Sequence, residues 1–387
     1  MMYNENMANF SDYIDWRGDI TFYMSQENKV DFLILSQLSY LNFDNLIPSG
    51  DFSFKISLQE LNEIFKFSPD FESRKNLGTL INPMTVDLFS KVAESERFKS
   101  VKVTGYEAIT DLSIEKQFAA MTFILPDGSN YVSFRGTDDS IIAWKEDFNL
   151  AIMDEIPAQK AAAEYLLTAA NKLSGKFIIG GHSKGGNLSI YSAIKMPPKI
   201  KKRITGVYNF DGPGFSEERL ETPEFQEIIP LLKSYYPQFS IVGKLFSNSG
   251  FFEVVECDSA LVMQHDPFKW HVLGENFINV TQFDVGSNFF QSTMNSWLKS
   301  LENEQKKILI DSLFELINST DAKTNTEMEK NLAKNSVKIL SAFSKLNPEQ
   351  KKQLIEIIRE LFKSVQKEIP AFAKSMIQDK NDFVIVS

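Results

Sequence analysis

The residue best placed to do chemistry in this sequence is Ser183, in the middle of the segment Gly181–Gly185, GHSKG. A short apolar run, Phe177–Ile179, precedes the segment, and residues 187–193 have the apolar spacing of a helix. A serine at a tight turn between strand and helix is typical of a nucleophile elbow, in which the serine backbone is strained and glycines avoid collisions of a Cβ atom. Its hydroxyl can attack an acyl carbonyl. The alternative interpretation is an ordinary glycine-rich turn.

A serine hydroxyl becomes a good nucleophile only when a base accepts its proton. The chain has three histidines that could be this base, His182, His265 and His271. His182 adjoins the serine, and neighbouring side chains diverge at such a turn, so we do not expect it to reach the hydroxyl. Both other histidines follow the serine in the chain, as the mechanism's usual order requires. We favour His265, because Pro267 favours an extended loop there, whereas Trp270 gives His271 an apolar setting.

The acid that would orient this histidine has three candidates. Asp211 follows a predicted strand and precedes a Gly-Pro-Gly turn, so we expect its carboxylate at the sheet edge near the serine. An aspartate in that position also commonly caps the following turn, which is the alternative interpretation. Asp258, just after the last predicted strand, is the second choice. Asp266 adjoins His265 and has the wrong geometry to hold it. We therefore predict that Ser183, His265 and Asp211 act together.

Acyl transfer also needs backbone N–H groups that stabilise the oxyanion of the transition state. One usually belongs to the residue after the nucleophile, here Lys184, and the other to a loop after an earlier strand, here Thr137. Losing one such donor typically raises the barrier by about 3 kcal/mol. Arg135 lies in the same loop. The alternative to a role in the site is that this residue forms a purely structural ion pair. The reaction requires no metal and no organic cofactor.

The elements that would position these residues alternate between strands and helices. Residues 1 to about 95 predict helices and irregular segments, with a capping box at Ser57–Glu60. Strands are predicted at 118–125, at 131–134, from 177, at 207–210 and at 251–257, and helices at 157–173 and from Pro223. Such alternation favours an α/β fold with a mainly parallel sheet covered by helices on both faces.

Beyond about residue 286 the strand signals stop. Amphipathic helices are predicted at 287–318 and 327–367, and a motif built on E-Q-K-K occurs near the start of both 301–310 and 346–355. Two copies are too few for a solenoid, so we predict a helical hairpin or small bundle that packs on the sheet domain. A lid, a dimerisation arm or a membrane-surface helix are the functional alternatives. The chain is thus divided into an N-terminal helical segment (1–95), a core (96–285) and a C-terminal helical appendage (286–387).

The composition excludes some classes of function. The chain of 387 residues has a net charge of -10, so we expect no nucleic-acid partner. The single cysteine, Cys257, excludes an intrachain disulfide framework, and no apolar run approaches the roughly 20 residues that span a bilayer. The first ten residues are polar and lack the regions of a secretory signal. We expect a cytoplasmic protein, in which the 33 phenylalanines indicate a Phe-rich core rather than a greasy substrate cleft.

Three motifs occur in the order in which class-three (fungal-type) lipases have them. They are F-R-G-T at 134–137, W-x-x-D at 144–147 and G-H-S-K-G-G-N-L at 181–188. The sequence therefore resembles this branch of the α/β-hydrolase superfamily over roughly residues 12 to 275. It is more closely similar to a group of uncharacterised bacterial lipase-like proteins, which share W-R-G-D at 16–19, L-I-L-S-Q-L-S-Y at 33–40, N-F-D-G-P-G at 209–214 and Q-H-D-P-F at 264–268.

The resemblance implies an α/β-hydrolase fold, with Ser183 as nucleophile, His265 as base, and Thr137 and Lys184 at the oxyanion hole. The sequence also departs from the family. Where class-three lipases have the triad aspartate in D-x-V-P, this chain has S-I-V-G at 240–243, so Asp211 is proposed as a relocated acid. Lys184 stands where the lipases have leucine, which predicts a more polar approach to the serine.

These observations together predict a serine carboxylester hydrolase of the esterase or lipase-like kind. Acyl esters of lipid-like or small alcohols are the expected substrates, with the Phe-rich segment 246–252 as a lip of the acyl site. Two alternatives remain open at this point. One is a lipase-like scaffold that binds a lipid or a partner without turnover. In the other, the helices from 287 onward form an interaction or membrane-surface module, with peripheral membrane contact.

Overall fold

A nine-stranded sheet forms the centre of the molecule in the computed structural model, which describes residues 8–248, 250–259 and 261–384. The strands are β1 (Ile56–Ser57), β2 (Lys102–Asp111), β3 (Lys116–Ile124), β4 (Asn130–Phe134), β5 (Phe177–His182), β6 (Ile204–Phe210), β7 (Leu232–Pro237), β8 (Phe251–Val255), β9 (Val272–Leu273), β10 (Asn276–Phe277) and β11 (Asn279–Val280). Their order in the sheet is β1-β2-β3-β4-β5-β6-β7-β8-β11, while β9 and β10 form a separate hairpin. The five strands from β4 to β8 run parallel to one another, and the outer strands pair antiparallel.

Helices cover both faces of this sheet. They are α1 (Phe10–Arg17), α2 (Lys29–Leu38), α3 (Leu58–Lys66), α4 (Phe71–Arg74), α5 (Met84–Glu94), α6 (Ile141–Asn149), α7 (Pro157–Lys172), α8 (Lys184–Lys195), α9 (Pro198–Lys201), α10 (Glu217–Leu220), α11 (Pro223–Ile228), α12 (Val285–Ser300), α13 (Asn303–Asn318), α14 (Asn325–Lys330), α15 (Leu332–Lys345) and α16 (Pro348–Val384). Helices before β2 share one hydrophobic core with one sheet face, and α7, α8 and α11 share a second core with the other.

The two cores follow from the alternation of side chains along a strand. In β5, Ile178 belongs to the core under the N-terminal helices, and its neighbour Ile179 belongs to the core under α7 and α8. In β4, Tyr131 and Val132 divide in the same way. A strand that is buried on both faces must be apolar at every position, as the continuous apolar runs predict. The predicted fold class is confirmed: an α/β-hydrolase whose parallel strands are flanked by helices, with a C-terminal helical region.

Two helices begin with well-defined capping chemistry. The Ser57 hydroxyl accepts a hydrogen bond from the Glu60 N–H at 3.2 Å, and the Glu60 carboxylate accepts one from the Ser57 N–H at 3.0 Å, so the capping box begins α3 as predicted. Thr222 caps α11, with Pro223 at the first helical position. Both cases depend on residues a few positions apart.

The sequence analysis missed two long strands and ended the sheet too early. In β2, a register shift lies between Thr104 and Glu107, and Gly105 has a φ of 61°. The bulge breaks the two-residue alternation that identifies a strand. β7 begins with Leu-Lys-Ser, which is not a continuous apolar run. β8 is not the last strand, because the short pairings of β9 to β11 follow it.

The two helices predicted after residue 286 are each interrupted. Leu301 and Glu302 lie between α12 and α13, Asn331 lies between α14 and α15, and Leu346 and Asn347 lie between α15 and α16. Both leucines are buried, so the repeated motif marks two similar corners in which a leucine leaves the helix and enters the core. Helix α16 packs back on α12, where the rings of Phe289 and Phe372 are 4.6 Å apart. No helix within the described ranges is long and apolar enough to cross a membrane.

Candidate active site

Ser183 lies at the point where the chain leaves β5 and enters α8. Its φ of 58° and ψ of -135° are strained for a residue with a side chain. Its N–H donates to the Phe210 carbonyl oxygen at 2.9 Å, which ties the elbow to the end of β6. Only nine per cent of the residue is exposed, so Ser183 is largely buried rather than exposed at the tip of the turn.

The glycines around Ser183 are required by close backbone contacts. A Cβ atom at Gly181 would lie 2.4 Å from the carbonyl carbon of Gly185, and a Cβ at Gly185 would lie 2.0 Å from the carbonyl oxygen of Phe134. The first turn of α8 therefore packs directly against β4 and β5. Any side chain at either position would push the helix away from the sheet and displace the serine.

Asp211 and His265 form a hydrogen-bonded pair. The Nδ1 atom of His265 is 2.6 Å from Oδ2 of Asp211, and the Asp211 side chain is completely buried. Asp211 follows β6 and has a φ of 52°, while its N–H donates to the Tyr235 carbonyl oxygen at 2.9 Å. His265 ends a short 3-10 helix, Leu261–His265. A carboxylate that accepts from Nδ1 fixes the tautomer in which Nε2 can accept a proton.

A serine holds the second oxygen of this carboxylate. The Ser240 hydroxyl donates to Oδ1 of Asp211 at 2.5 Å, and both side chains are inaccessible to solvent. Ser240 begins the segment S-I-V-G, which the resemblance to class-three lipases matches with their D-x-V-P motif. The residue that this resemblance places at the position of the lipase acid thus contacts the aspartate that we propose as its replacement.

The structure brings Ser183 and His265 to the same edge of the sheet without a hydrogen bond between them. The His265 ring lies 4.6 Å, between centroids, from the ring of His182, the residue before the nucleophile. No acceptor or donor for Nε2 of His265 is present among the described residues. The hydrogen bond between a catalytic serine and its base is often long in a free enzyme and tightens when a substrate binds.

His182 supports His265 rather than the serine. Its Nε2 atom lies 2.9 Å from the carbonyl oxygen of His265, which can only accept, so Nε2 carries the proton. Its Nδ1 atom then accepts from the Tyr40 hydroxyl at 2.9 Å. Burial, together with the nearby His265, holds the pKa of His182 well below its usual value, so the ring is neutral. A neutral imidazole with one donor and one acceptor matches both contacts.

The two predicted oxyanion donors lie on adjacent segments. A Cβ atom at Gly136, next to Thr137, would lie 2.9 Å from Cβ of Ser183. The backbone N–H groups of Thr137 and Lys184 have no acceptor within the part of the chain that the structure describes. The Thr137 hydroxyl donates to the carboxylate of Asp147, which holds the loop in place. Two N–H groups without partners beside the elbow can bind an oxyanion.

The Lys184 side chain does not line the approach to the serine, so the expectation of a more polar approach is wrong. Its ammonium is buried and lies 2.9 Å from Oε2 of Glu146 and 2.8 Å from Oε1 of Gln117. Burial alone would lower the pKa of Lys184, but the carboxylates of Asp147 and Glu146 outweigh it and raise the pKa. The helical setting of the elbow turns this side chain inward, towards β3 and α6.

The other sequence candidates have partners of their own. Nε2 of His271 lies 2.7 Å from Oδ1 of Asp258, so the second-choice histidine and the second-choice acid face each other. The carboxylate of Asp266 accepts from the Asn82 side chain at 2.7 Å and does not hold His265. Arg135 is 3.3 Å from Asp138, which matches its structural interpretation.

Sequence reasoning missed Ser240 and Tyr40 as contributors to the site. Signals for both were present: Tyr40 ends the motif at 33–40, and the resemblance to class-three lipases places Ser240 at the position of their acid. Neither signal identifies a contact, because the side chains they touch are distant in the sequence. The Tyr40 hydroxyl reaches a ring 142 positions further along the chain.

A cleft of about 400 Å³ opens behind the first turn of α8, near the site. Its lining includes Asn187, Gly214, Phe246 and Leu298, but not Ser183 or His265. Phe246 belongs to the segment predicted as a lip, of which residue 249 lies outside the described residues. The described residues contain no group of three or more His, Cys, Asp or Glu side chains that could hold a metal ion.

The parallel sheet and the strained serine between β5 and α8 define the class of this protein as a lipase-like α/β-hydrolase. The model of the family described as Mbeg1-like matches residues 92–315. This is more than half of the chain, and the protein belongs to that family.

Two solved lipases are similar to this chain. M37 lipase is 15% identical, with a TM-score of 0.35, over 55% of this chain and 68% of that one. The Rhizomucor miehei lipase in its propeptide complex is 15% identical, with a TM-score of 0.30, over 54% of this chain and 73% of that one. The fold class follows from the strand order of this chain itself. No curated protein matches the sequence.

Proposed function

We propose that this protein is a serine carboxylester hydrolase that acts through an acyl intermediate on Ser183. The observation that carries the proposal is the buried Asp211 carboxylate, hydrogen-bonded to Nδ1 of His265 at 2.6 Å, beside a serine held in a strained elbow. Membership of the Mbeg1-like family and the lipase-like fold support a hydrolase in general.

The residues divide the work as follows. His265 accepts the hydroxyl proton at Nε2 while the Ser183 oxygen bonds to the ester carbonyl carbon, and the carbonyl electron pair moves to the oxygen. The N–H groups of Thr137 and Lys184 stabilise that oxyanion. When the carbonyl forms again, the alkoxide leaves with the proton from His265. Water then attacks the acyl group with His265 as base, and the acid and free Ser183 are released. Asp211 orients the imidazole and stabilises its charged form.

The substrates that this proposal names are acyl esters of lipid-like or small alcohols, cleaved without a cofactor. The proposal includes three further points. A cytoplasmic location is supported by the single cysteine. A closer relation to the uncharacterised bacterial lipase-like proteins is supported by the motifs at 33–40 and 264–268. A division of the chain near residues 95 and 285 is supported by the change from helices to the sheet and back to helices.

The experiment uses a fluorophosphonate probe and nitrophenyl esters of short and long acyl chains. We expect the native protein to be labelled and to hydrolyse at least one ester, and Ser183→Ala to lose both properties. Ser73→Ala, at an exposed serine of α4, is the matched control and should behave as the native protein does. Equal hydrolysis by Ser183→Ala, or a folded native protein that the probe does not label, would overturn the proposal and favour a scaffold that binds without turnover.

A further inference from the structure

Helix α16 has an apolar stripe that no other segment of the described chain covers. The stripe consists of Ile355, Ile358, Phe362, Ile369 and Met376, which are between 41% and 63% exposed. Their spacing of three, four and seven positions places them on one side of a helix. From the first to the last residue the stripe is about 30 Å long, at about 1.5 Å per residue.

The stripe is distinct from the side of α16 that packs on the protein. Leu354, Ile357 and Ser364 are buried, and α16 packs on α12 and α13. The indole N–H of Trp297 in α12 donates to the Ile357 carbonyl oxygen at 3.0 Å. The apolar arc of α16 is therefore wider than its packing requires, and the surplus faces solvent. An apolar patch of this kind normally marks an interaction surface.

Basic residues border the stripe. Three exposed basic residues lie beside the stripe on the helix surface, namely Lys352, Arg359 and Lys363. Between residues 330 and 374 there are ten Lys or Arg and four Glu, a net charge of +6. Since the whole chain has a net charge of -10, the remaining residues sum to -16. A segment that contains α15 and most of α16 thus has a net positive charge in an otherwise acidic protein.

Helix α15 shows the same combination. Leu332, Val337 and Leu340 are 64%, 67% and 68% exposed. Lys334 and Lys345 lie on the same helix and are also exposed. Two consecutive helices thus combine uncovered apolar side chains with an excess of basic ones.

We propose that the exposed faces of α15 and α16 bind an anionic phospholipid surface. A helix with Phe, Leu and Ile on one side and Lys or Arg beside them lies in the plane of a membrane, with its apolar side chains below the headgroups. The +6 segment is attracted to the anionic headgroups, while the remaining -16 is repelled by them, so only this end of the molecule faces the membrane. A second copy of the chain fits less well, because two such helices side by side would bring their basic rows together.

This inference does not depend on the hydrolase activity, and none of the stripe residues is among those that form the Ser183 site. Its experiment is co-sedimentation of the full chain with vesicles of phosphatidylcholine alone and with vesicles that also contain phosphatidylglycerol. We expect binding only to the second kind, and weaker binding at high salt, which screens the attraction.

Two sets of variants separate the apolar and basic contributions. Phe362→Ser should weaken vesicle binding roughly tenfold, because a large apolar side chain no longer enters the lipid. Phe67→Ser is its control, since Phe67 is 81% exposed on the body of the protein. Replacing Arg359, Lys363 and Lys367 by Gln should weaken binding by at least about tenfold, since each basic residue near the surface contributes about fivefold.

The control for the charge variants replaces three exposed body lysines, Lys176, Lys199 and Lys202, by Gln. Equal losses in the two triple variants would overturn the proposal, as would equal binding to neutral vesicles or no binding to either kind. Size-exclusion chromatography with light scattering tests whether a second copy of the chain covers the stripe instead. A dimer that Phe362→Ser converts into a monomer would identify a second copy as the partner and would also overturn the proposal.

Discussion

The loop after β8 contains two histidines six positions apart, and each faces an aspartate in a different way. Nδ1 of His265 is hydrogen-bonded to Asp211, whose side chain is 0% exposed, whereas Nε2 of His271 lies near Asp258, whose side chain is 47% exposed. In the second pair the ring nitrogens have no well-directed hydrogen bond, although the atoms are 2.7 Å apart. The exposure of the imidazoles differs in the opposite sense, since the side chain of His265 is 25% exposed and that of His271 only 6%.

The surroundings of the acid distinguish the two pairs more than the distance between the aspartate and the histidine does. Asp211 is fixed by the end of β6, by its N–H contact with β7 and by Ser240, so its carboxylate is oriented before any substrate arrives. The Asp258 side chain, in contrast, is partly exposed to solvent. Only the first pair joins a rigid buried acid to an accessible base, which is the arrangement that general base catalysis needs.

Replacing the two histidines gives the largest expected difference. In an ester hydrolysis assay, His265→Ala should lower kcat by about 10⁴-fold or more, because it removes the proposed acceptor of the serine proton. His271→Ala should change kcat by less than about tenfold, through packing alone. A comparable loss in the two variants would show that the pairs are not functionally distinct.

The next test replaces each of the two aspartates by asparagine. Asp211→Asn should lower kcat by about 10²-fold to 10⁴-fold, since an amide no longer fixes the tautomer of His265. Asp258→Asn should leave kcat within a few-fold of the native value. Far-ultraviolet circular dichroism of both proteins controls for folding. If the loss follows Asp258 instead, the relocated acid is wrongly assigned.

Ser240 sharpens the comparison, because only the first pair has such a support. Ser240→Ala removes a hydrogen bond to a buried carboxylate, which is worth about 1.5 to 3 kcal/mol. We expect kcat to fall by roughly tenfold and its pH profile to shift, because the carboxylate holds the imidazole less firmly. Ser240→Thr, which keeps the hydroxyl, should recover part of the rate. A variant that loses stability with an unchanged kcat and pH profile would make Ser240 merely structural.

The smallest effect concerns the third histidine. The pKa of His182 lies well below its usual value of 6.5 in the folded protein, so the unfolded chain binds one more proton below that pH. Its contribution to the free energy of unfolding is complete above pH 6.5 and is lost as the pH falls, by up to about 1.4 kcal/mol per pH unit. Urea unfolding at several pH values should show a shallower acid loss for His182→Gln. An identical pH dependence would mean that the ring is protonated in the folded state.

The success of sequence reasoning depended on how local each feature is. The elbow at Ser183 and the capping box at Ser57 involve contiguous residues, and both were predicted correctly as local structure. β2 was missed because the bulge near Gly105 interrupts its alternation, and β7 because only its parallel neighbours make it a strand. The interruption at Leu301 was missed because burial in the core, not helix propensity, ends α12 there.

By itself, the sequence determined the turn that presents Ser183, the class of fold and the short set of histidines and aspartates that could assist the serine. The tertiary structure decided which of them are paired, since Asp211 and His265 are 54 positions apart and meet only when β6 and the loop after β8 reach the same sheet edge. It also turned Lys184 inward and brought Ser240 to the carboxylate. Side-chain contacts between distant segments follow from packing, and no local pattern specifies them.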